Sequence, residues 1–235
     1  AITAPDGTRL AEFSKGQNSG WLFRVNNDFA DVGMNDFVLM DGDEIEVLYT
    51  ADYEKEPGMS LPYTDVSWDH WAYTAIKRMY TRGLMVGVNE TTFAPSQEMS
   101  RAMLAVILYA RSGQPAVEAA NPFTDVRADD YFYTAVLWAV ENGITGGTGD
   151  GLFSPDAACT RAQSAAFLYR AAGSPAVNGS AGFSDVAADA YYAQAVAWAK
   201  EHGITDGIGG GLFGSANDCT RAQIAAFLWR LYAEK

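Results

Sequence analysis

The sequence predicts a mainly α protein: three two-helix repeats closed into a pseudo-threefold bundle, preceded by a small β domain or fragment. Three observations carry that prediction. From residue 61 onward the chain repeats every 60 residues without insertion, so that Arg101, Arg161 and Arg221 share one position and Gly87, Gly147 and Gly207 another. Each repeat holds two apolar patterns of helical period. The first 57 residues instead show short alternating runs between turn residues.

In the N-terminal part, Trp21–Val25 reads as a strand ending at the turn Asn26-Asn27. Phe37–Met40 leads into the hairpin composition Asp41-Gly42-Asp43. The run after it alternates, with Ile45, Val47 and Tyr49 expected on a buried face and Glu44 and Glu46 opposite. So little β structure is marginal alone, so residues 1–52 are expected to be the C-terminal part of a larger domain. Asp41, Asp43 and Glu44 lack the twelve-residue calcium-loop pattern and read as a solvated turn. Residues 53–60, charged and closed by Pro57-Gly58, read as a linker.

The repeats are placed at 61–117, 118–178 and 179–235. Each opens with an aromatic-x-Asp-Val box holding Asp65, Asp125 or Asp185. A first helix follows, with Trp71, Ala75, Ile76 and Met79 (or Tyr131 and Tyr191 with their successors) on one face. Gly83, Gly143 or Gly203 then ends it as a C′ glycine. Gly147-Thr148-Gly149-Asp150-Gly151 lacks the Lys-Ser/Thr of a phosphate loop and reads as a tight turn.

The second helix starts at Thr160-Arg161-Ala162-Gln163, repeated as Thr220-Arg221-Ala222-Gln223 and altered to Ser100-Arg101-Ala102-Met103. Thr followed three residues later by Gln before an apolar run is a capping box. The capping box does not explain the arginine. At the first helical position a cation faces the positive end of the helix dipole, a mismatch of about 0.3–1 kcal/mol. An anion held between guanidinium and amides reverses that cost. The anion is either internal, from Asp65, Asp125 or Asp185, or a ligand.

Of the 235 residues 49% are hydrophobic and 19% charged, enough to build a core. The net charge of −13, most of it before residue 61, argues against nucleic acid as partner. There is no apolar run of membrane-spanning length and no basic-then-apolar leader; the opening Ala1-Ile2-Thr3 reads as a mature or excised piece. Cys159 and Cys219 hold equivalent positions and are expected as buried thiols. His70 and His202 hold different ones, so no zinc site is expected. No nucleophile–base pair recurs, although abundant Asp and Glu leave a glycosidase-type carboxylate pair open.

Two resemblances follow from these residues. Gly20–Asn26, Val32-Gly33, Leu39–Asp43 and Tyr49-Thr50 resemble the transcobalamin-like C-terminal β-domain family, which implies a β-grasp-like fold; the corresponding cobalamin-binding domain is absent. Residues 61–235, through Phe123-Thr124-Asp125-Val126, Gly143-Ile144, Gly147, Phe153-Ser154-Pro155, Thr160-Arg161-Ala162-Gln163 and their copies, resemble the surface-layer homology module in three-copy form.

That second resemblance implies a secreted, cell-surface, non-catalytic anchor without cofactor or metal, its signal peptide outside this chain. It implies a monomer with an intrachain pseudo-trimer, free of membrane insertion. The ligand implied is secondary cell-wall polysaccharide, typically recognised through a pyruvate-ketal sugar in grooves between repeats. On this sequence Arg101, Arg161 and Arg221 would grip the carboxylate, within boxes including Thr160, Gln163, Thr220 and Gln223. Asp65, Asp125 and Asp185 would accept sugar hydroxyls or orient an arginine, or simply make the turn before the helix. Gly87, Gly147 and Gly207 would admit the ligand. Trp71, Tyr131 and Tyr191 would pack on a sugar face or, by aromatic preference, in the core. Because Met103 lacks the polar side chain of Gln163 and Gln223, the grooves of Arg161 and Arg221 are expected to be the better two. Protein–protein interaction or self-assembly is the alternative function.

Overall fold

The computed structural model describes residues 2–3, 9–11, 13, 15, 19–25, 28–29, 44–51 and 61–232. In the N-terminal part β1 (Ile2–Thr3) pairs antiparallel with β2 (Arg9–Leu10). A three-stranded sheet has the order β4 (Asp28–Phe29), β3 (Gly20–Val25), β5 (Ile45–Thr50). The two strands expected at 21–25 and 45–50 are therefore present and paired, with Trp21 opposite Tyr49 and their rings edge-on at 5.1 Å. The buried face expected for β5 is not: Ile45 is 49% and Val47 44% exposed. Alternation specifies which side chains share a face, but a covering layer must bury it, and none of the described residues forms one over these two. The turn at Asn26-Asn27, the run Phe37–Met40, Asp41-Gly42-Asp43 and the linker at 53–60 lie outside the described residues.

The repeats supply six helices: α1 (Tyr73–Thr81), α2 (Arg101–Arg111), α3 (Tyr133–Glu141), α4 (Arg161–Ala171), α5 (Ala193–Glu201) and α6 (Arg221–Tyr232). The described residues are thus mainly helical. The odd-numbered helices end where expected. Gly83, Gly143 and Gly203 have φ of 65°, 65° and 68°, and the next amide reaches back, as from Ile144 to the Ala139 carbonyl at 2.8 Å. The even-numbered helices start where expected. Gln163 N donates to Thr160 Oγ1 and Thr160 N to Gln163 Oε1, with the same pair of bonds at Thr220 and Gln223. Ser100 caps α2 from its side chain alone, since Met103 offers no acceptor in return.

Nine-residue helices do not persist alone in water, so packing between repeats must hold them. The second helix of one repeat lies on the first helix of another: α2 on α3, α4 on α5, and α6 on α1. Ile76, Met79, Leu104, Leu108, Val136 and Leu228 are buried in the shared core. At its centre the backbone links all three repeats. Met99 N donates to Cys219 O, Cys219 N to Cys159 O and Cys159 N to Met99 O, at 2.8, 2.9 and 2.7 Å.

Cys159 and Cys219 are free and fully buried, as expected. Burial pushes the Cys159 thiol up to about 12, against the smaller opposing effects of the Ser164 hydroxyl and Arg101. A thiol that stays protonated and covered does not attack. At pH 8 the folded chain should leave an aromatic disulfide reagent unreacted, whereas the urea-unfolded chain should release the equivalent of both thiols. Rapid reaction of the folded chain would contradict this packing.

Candidate functional site

Each even-numbered helix begins with an arginine that crosses into another repeat. Arg101 Nε donates to Phe153 O at 2.9 Å, Arg161 Nε to Phe213 O at 2.8 Å, and Arg221 Nε to Phe93 O at 2.9 Å. The aromatic rings of those same residues lie against the guanidinium planes, 4.9, 4.9 and 4.6 Å from the centroids. Phe167 and Phe227 flank Arg101 and Arg161 at 5.2 Å from the other helix. Stacking of this kind contributes about 0.5–2 kcal/mol. All three arginines are buried.

None of the three forms an ion pair among the described residues; the two ion pairs found there involve Arg24 and Arg127. The internal carboxylate considered from the sequence is thus not what meets these cations. Asp65, Asp125 and Asp185 do something else. Asp125 Oδ1 and Oδ2 accept the amides of Phe153 and Ser154 at 2.8 and 2.7 Å, and Asp65 and Asp185 repeat the pair at Phe93-Ala94 and Phe213-Gly214. They hold in place the loop whose carbonyl grips the arginine, acting one step removed from it. Arginine and carboxylate meet on one residue from opposite sides: Arg101, coming from the first repeat, takes the carbonyl of Phe153, while Asp125 of the second takes its amide.

Burial by itself would raise the Asp185 carboxyl, but amides of Phe213, Gly214 and Ser215 outweigh it and hold the carboxyl below the usual carboxylate range. A folded value below the unfolded one lends stability that is complete above the unfolded value and disappears as pH falls through the folded one. Asp185→Asn should therefore lower the urea midpoint at pH 7 and flatten its decline in acid. An unchanged midpoint and acid limb would show that these bonds contribute nothing.

The guanidiniums keep one open edge. Arg101 Nη2 makes a long 3.5 Å bond to Thr145 Oγ1, and Arg161 Nη2 a 3.3 Å bond to Thr205 Oγ1. Nη1 of each has no protein acceptor among the described residues, yet it is not among the buried unsatisfied atoms, so a small part of its surface reaches solvent. Around Arg101 lies a cleft of about 430 Å³ lined also by Thr145, Gly147, Gln163, Arg170 and Tyr191. Burial pushes Arg101 and Arg161 down from the ordinary arginine value, countered in part by nearby Cys, Tyr and Asp groups. The site holds a cation short of counter-charge, and an anion at Nη1 would supply it.

The other residues expected here fall as follows. Thr160 and Thr220 serve as helix caps, and Gln163 offers the cleft its amide NH₂ after using Oε1 in the capping box. Gly147 and Gly207 are required by their own loops. With φ of 89° and 85°, a Cβ would lie 2.4 Å from Leu152 O or 2.3 Å from Leu212 O; at Gly87 it would meet Thr92 O at 2.4 Å. The missing Cβ thus makes room for the loop's own carbonyl, and Gly147 also lines the cleft of Arg101. Trp71, Tyr131 and Tyr191 are 64%, 71% and 63% exposed, so the core-packing alternative is overturned. The helices start two residues later than their apolar pattern suggested, which leaves these rings on the preceding turn, off the buried stripe.

Two features were missed. Thr145, Thr205 and the Phe carbonyls contact the arginines, and Arg170 stands in the cleft with Arg101. Their signal was the same 60-residue recurrence, with Thr145 and Thr205 against Met85 and with Arg170 and Arg230 against Ala110. The ranking of grooves also changes. Arg101 shares its cleft with Gln163 of the following repeat, and Arg221 reaches into the repeat that carries Met103. Met103, which holds the position of Gln163 and Gln223, therefore belongs with Arg221 and not with Arg101.

Comparison with known proteins adds the following. The S-layer homology domain model matches residues 62–103, 122–165 and 182–225, and the model for a domain of unknown function (DUF4430) matches residues 2–51. The chain is 31% identical over 122 residues to an endoglucanase of Bacillus sp. (strain KSM-635), covering 52% of this chain and 13% of that protein. It is 33% identical over 116 residues to an S-layer protein of Bacillus thuringiensis subsp. finitimus (48% and 14%). It is 32% identical over 111 residues to the S-layer protein sap of Bacillus anthracis (46% and 13%). The matched stretch spans only about a seventh of these relatives, as the shares of 13%, 14% and 13% show. No helix among the described residues is long and apolar enough to cross a membrane.

Proposed function

Because this chain belongs to the S-layer homology domain family, we propose that it anchors a bacterial surface protein by binding an anionic, pyruvylated secondary cell-wall polysaccharide in the grooves between its repeats. The family binds cell-wall polymers as a non-catalytic anchoring module and places the chain at the cell surface, in association with the wall. The finer reading concerns the ligand and the mechanism. In a groove that takes the ligand, the arginine at the helix start (Arg101, Arg161 or Arg221) presents Nη1 to the ketal carboxylate, the glutamine of the next repeat (Gln163 or Gln223) meets sugar hydroxyls, and the exposed ring (Trp71, Tyr131 or Tyr191) covers a sugar face. Asp65, Asp125 and Asp185, with Gly87, Gly147 and Gly207, keep the loops in the shape that holds the arginines. Thr160 and Thr220 fix the helix starts. The repeats at 61–117, 118–178 and 179–235 then act as a monomeric bundle of near-threefold symmetry about Met99, Cys159 and Cys219. Residues 1–52 form a separate β unit joined to it through 53–60.

The observation that carries this reading is a buried guanidinium, fixed by a carbonyl and stacked on aromatic rings, that keeps one nitrogen open and has no carboxylate of its own. It is tested by retention on immobilised wall polysaccharide before and after mild-acid removal of the ketal. Retention is expected before and lost after. Equal retention by both polymers would remove the carboxylate from the account.

A second reading, self-association, draws on Trp68 and Val86, which are 83% and 62% exposed. Light scattering of the chain without glycan separates the two, since growth in mass with concentration would favour the second.

A further inference from the structure

We propose that only the grooves of Arg101 and Arg161 hold the carboxylate-bearing sugar, with Arg170 and Arg230 as second cationic contacts, while the groove of Arg221 takes no anion. This assignment deepens the anchoring reading above and rests on it.

The three grooves are built from equivalent positions but not from equivalent chemistry. Arg101 lies between the rings of Phe153 and Phe167, and Arg161 between Phe213 and Phe227. For Arg221 only Phe93 is stacked, because Ile107 stands where the others have the second ring. The Nη2 group differs too. In the first two grooves it makes the weak threonine bonds already described, to hydroxyls that keep a proton for a ligand. In the third it is committed to Val86 O at 2.6 Å.

The loop chemistry explains that difference. Thr145 and Thr205 accept the amides of Gly147 and Gly207 at 3.1 Å. In the first repeat Met85 replaces the threonine, and the amide of Gly87 donates instead to Tyr63 Oη at 2.7 Å. That hydroxyl replaces a phenylalanine Cζ–H, since Phe123 and Phe183 hold the place of Tyr63. The loop amide is thereby satisfied by a tyrosine hydroxyl, and Arg221 loses the threonine partner that the other two arginines have. On the rim of its groove Val86, 62% exposed, replaces Gly146 and Asp206, while Val88 has an apolar counterpart in Ile208 of the second groove.

The helix that closes the groove has changed in the same direction. Gln163 and Arg170 line the cleft of Arg101. Their counterparts are Gln223 and Arg230 in α6, but Met103 and Ala110 in α2. Arg170 and Arg230 are positioned alike, through Nη1 donating to Ile144 O at 2.9 Å and Ile204 O at 3.0 Å. The aromatic partner agrees. Tyr191 stands in the field of both Arg101 and Arg170, whereas the field at Tyr131 comes from Asp156. The second ring, the threonine hydroxyl, the glutamine amide and the second cation are thus absent from one groove and present in the first, and their sequence counterparts recur in the second. An anionic sugar needs these donors to replace its water, and the groove of Arg221 lacks them.

The test is titration calorimetry of the full chain with a methyl hexopyranoside carrying a 4,6-O-pyruvate ketal, with its ketal-free parent as control. Two sites per chain are expected, and none for the parent. A second variant transplants the silent chemistry: Gln163→Met with Arg170→Ala should reduce the count from two to one. That exchange keeps the fold, because α2 already carries Met and Ala at these places. Three sites in the unaltered chain, or two remaining in the double variant, overturn the assignment and leave the anchoring reading intact. No binding of the ketal hexoside at all overturns both.

Discussion

Gly147→Ala is expected to destabilise the chain by about 3 kcal/mol or more, and Gly207→Ala by a similar amount. Two costs add at these positions. The left-handed backbone, φ 89° and 85°, strains any L side chain by about 1–3 kcal/mol. The new Cβ also falls 2.4 or 2.3 Å from a backbone carbonyl of the same loop, which cannot swing aside as a side chain would. For a chain of this size about 3 kcal/mol corresponds to roughly 6–12 °C in melting temperature. Gly143→Ala is the built-in control: its φ is 65°, but nothing lies within 4 Å of the added atom. It should cost only about 1 kcal/mol. Equal melting shifts for Gly143 and Gly147 would mean that the loop is not closed as described.

The second large effect is on binding. Replacing Arg101 and Arg161 together by Lys keeps the charge but removes the planar group that stacks between two rings and the Nε donor to the neighbouring loop. A lost charge-assisted bond of about 1.5–3 kcal/mol corresponds to roughly ten- to a hundredfold weaker binding per site. Retention on wall polysaccharide should therefore fall at least tenfold. Some stability is lost with it, because Phe153 O and Phe213 O lose their donors, so binding must be expressed per folded molecule from the circular dichroism of the same sample. Wild-type binding by a folded Lys variant would assign these arginines a purely structural role.

Much of this was legible in the residues. The 60-residue recurrence located the repeats, the Thr-x-x-Gln spacing located two helix starts and its altered copy Ser100-Arg101-Ala102-Met103 the third, and Gly83, Gly143 and Gly203 located three ends. Each is a local rule, satisfied by neighbours in sequence. The arginine mismatch with the helix dipole correctly singled out Arg101, Arg161 and Arg221 as needing a partner. What local rules could not give was the partner, because Phe153, Phe213 and Phe93 belong to other repeats. The same limit misdirected the reading of Met103. Its effect was assigned to the arginine two residues before it, whereas packing between repeats delivers it to Arg221. Trp71, Tyr131 and Tyr191 fit the helical stripe on spacing alone, and only the true helix starts at Tyr73, Tyr133 and Ala193 put them outside it. In the β unit, the alternation of Ile45 and Val47 predicted a strand but could not supply a layer to cover it.

The account depends most on where the ligand's charge comes to rest. The structure of a crystal of this chain soaked with the ketal hexoside measures that directly. It should place the carboxylate oxygens within about 3.2 Å of Nη1 of Arg101 and Arg161, with the sugar beside Tyr191 in the first of these grooves. A bound hexoside whose carboxylate points into solvent, or lies elsewhere while both guanidiniums keep only their Phe and Thr partners, would contradict it.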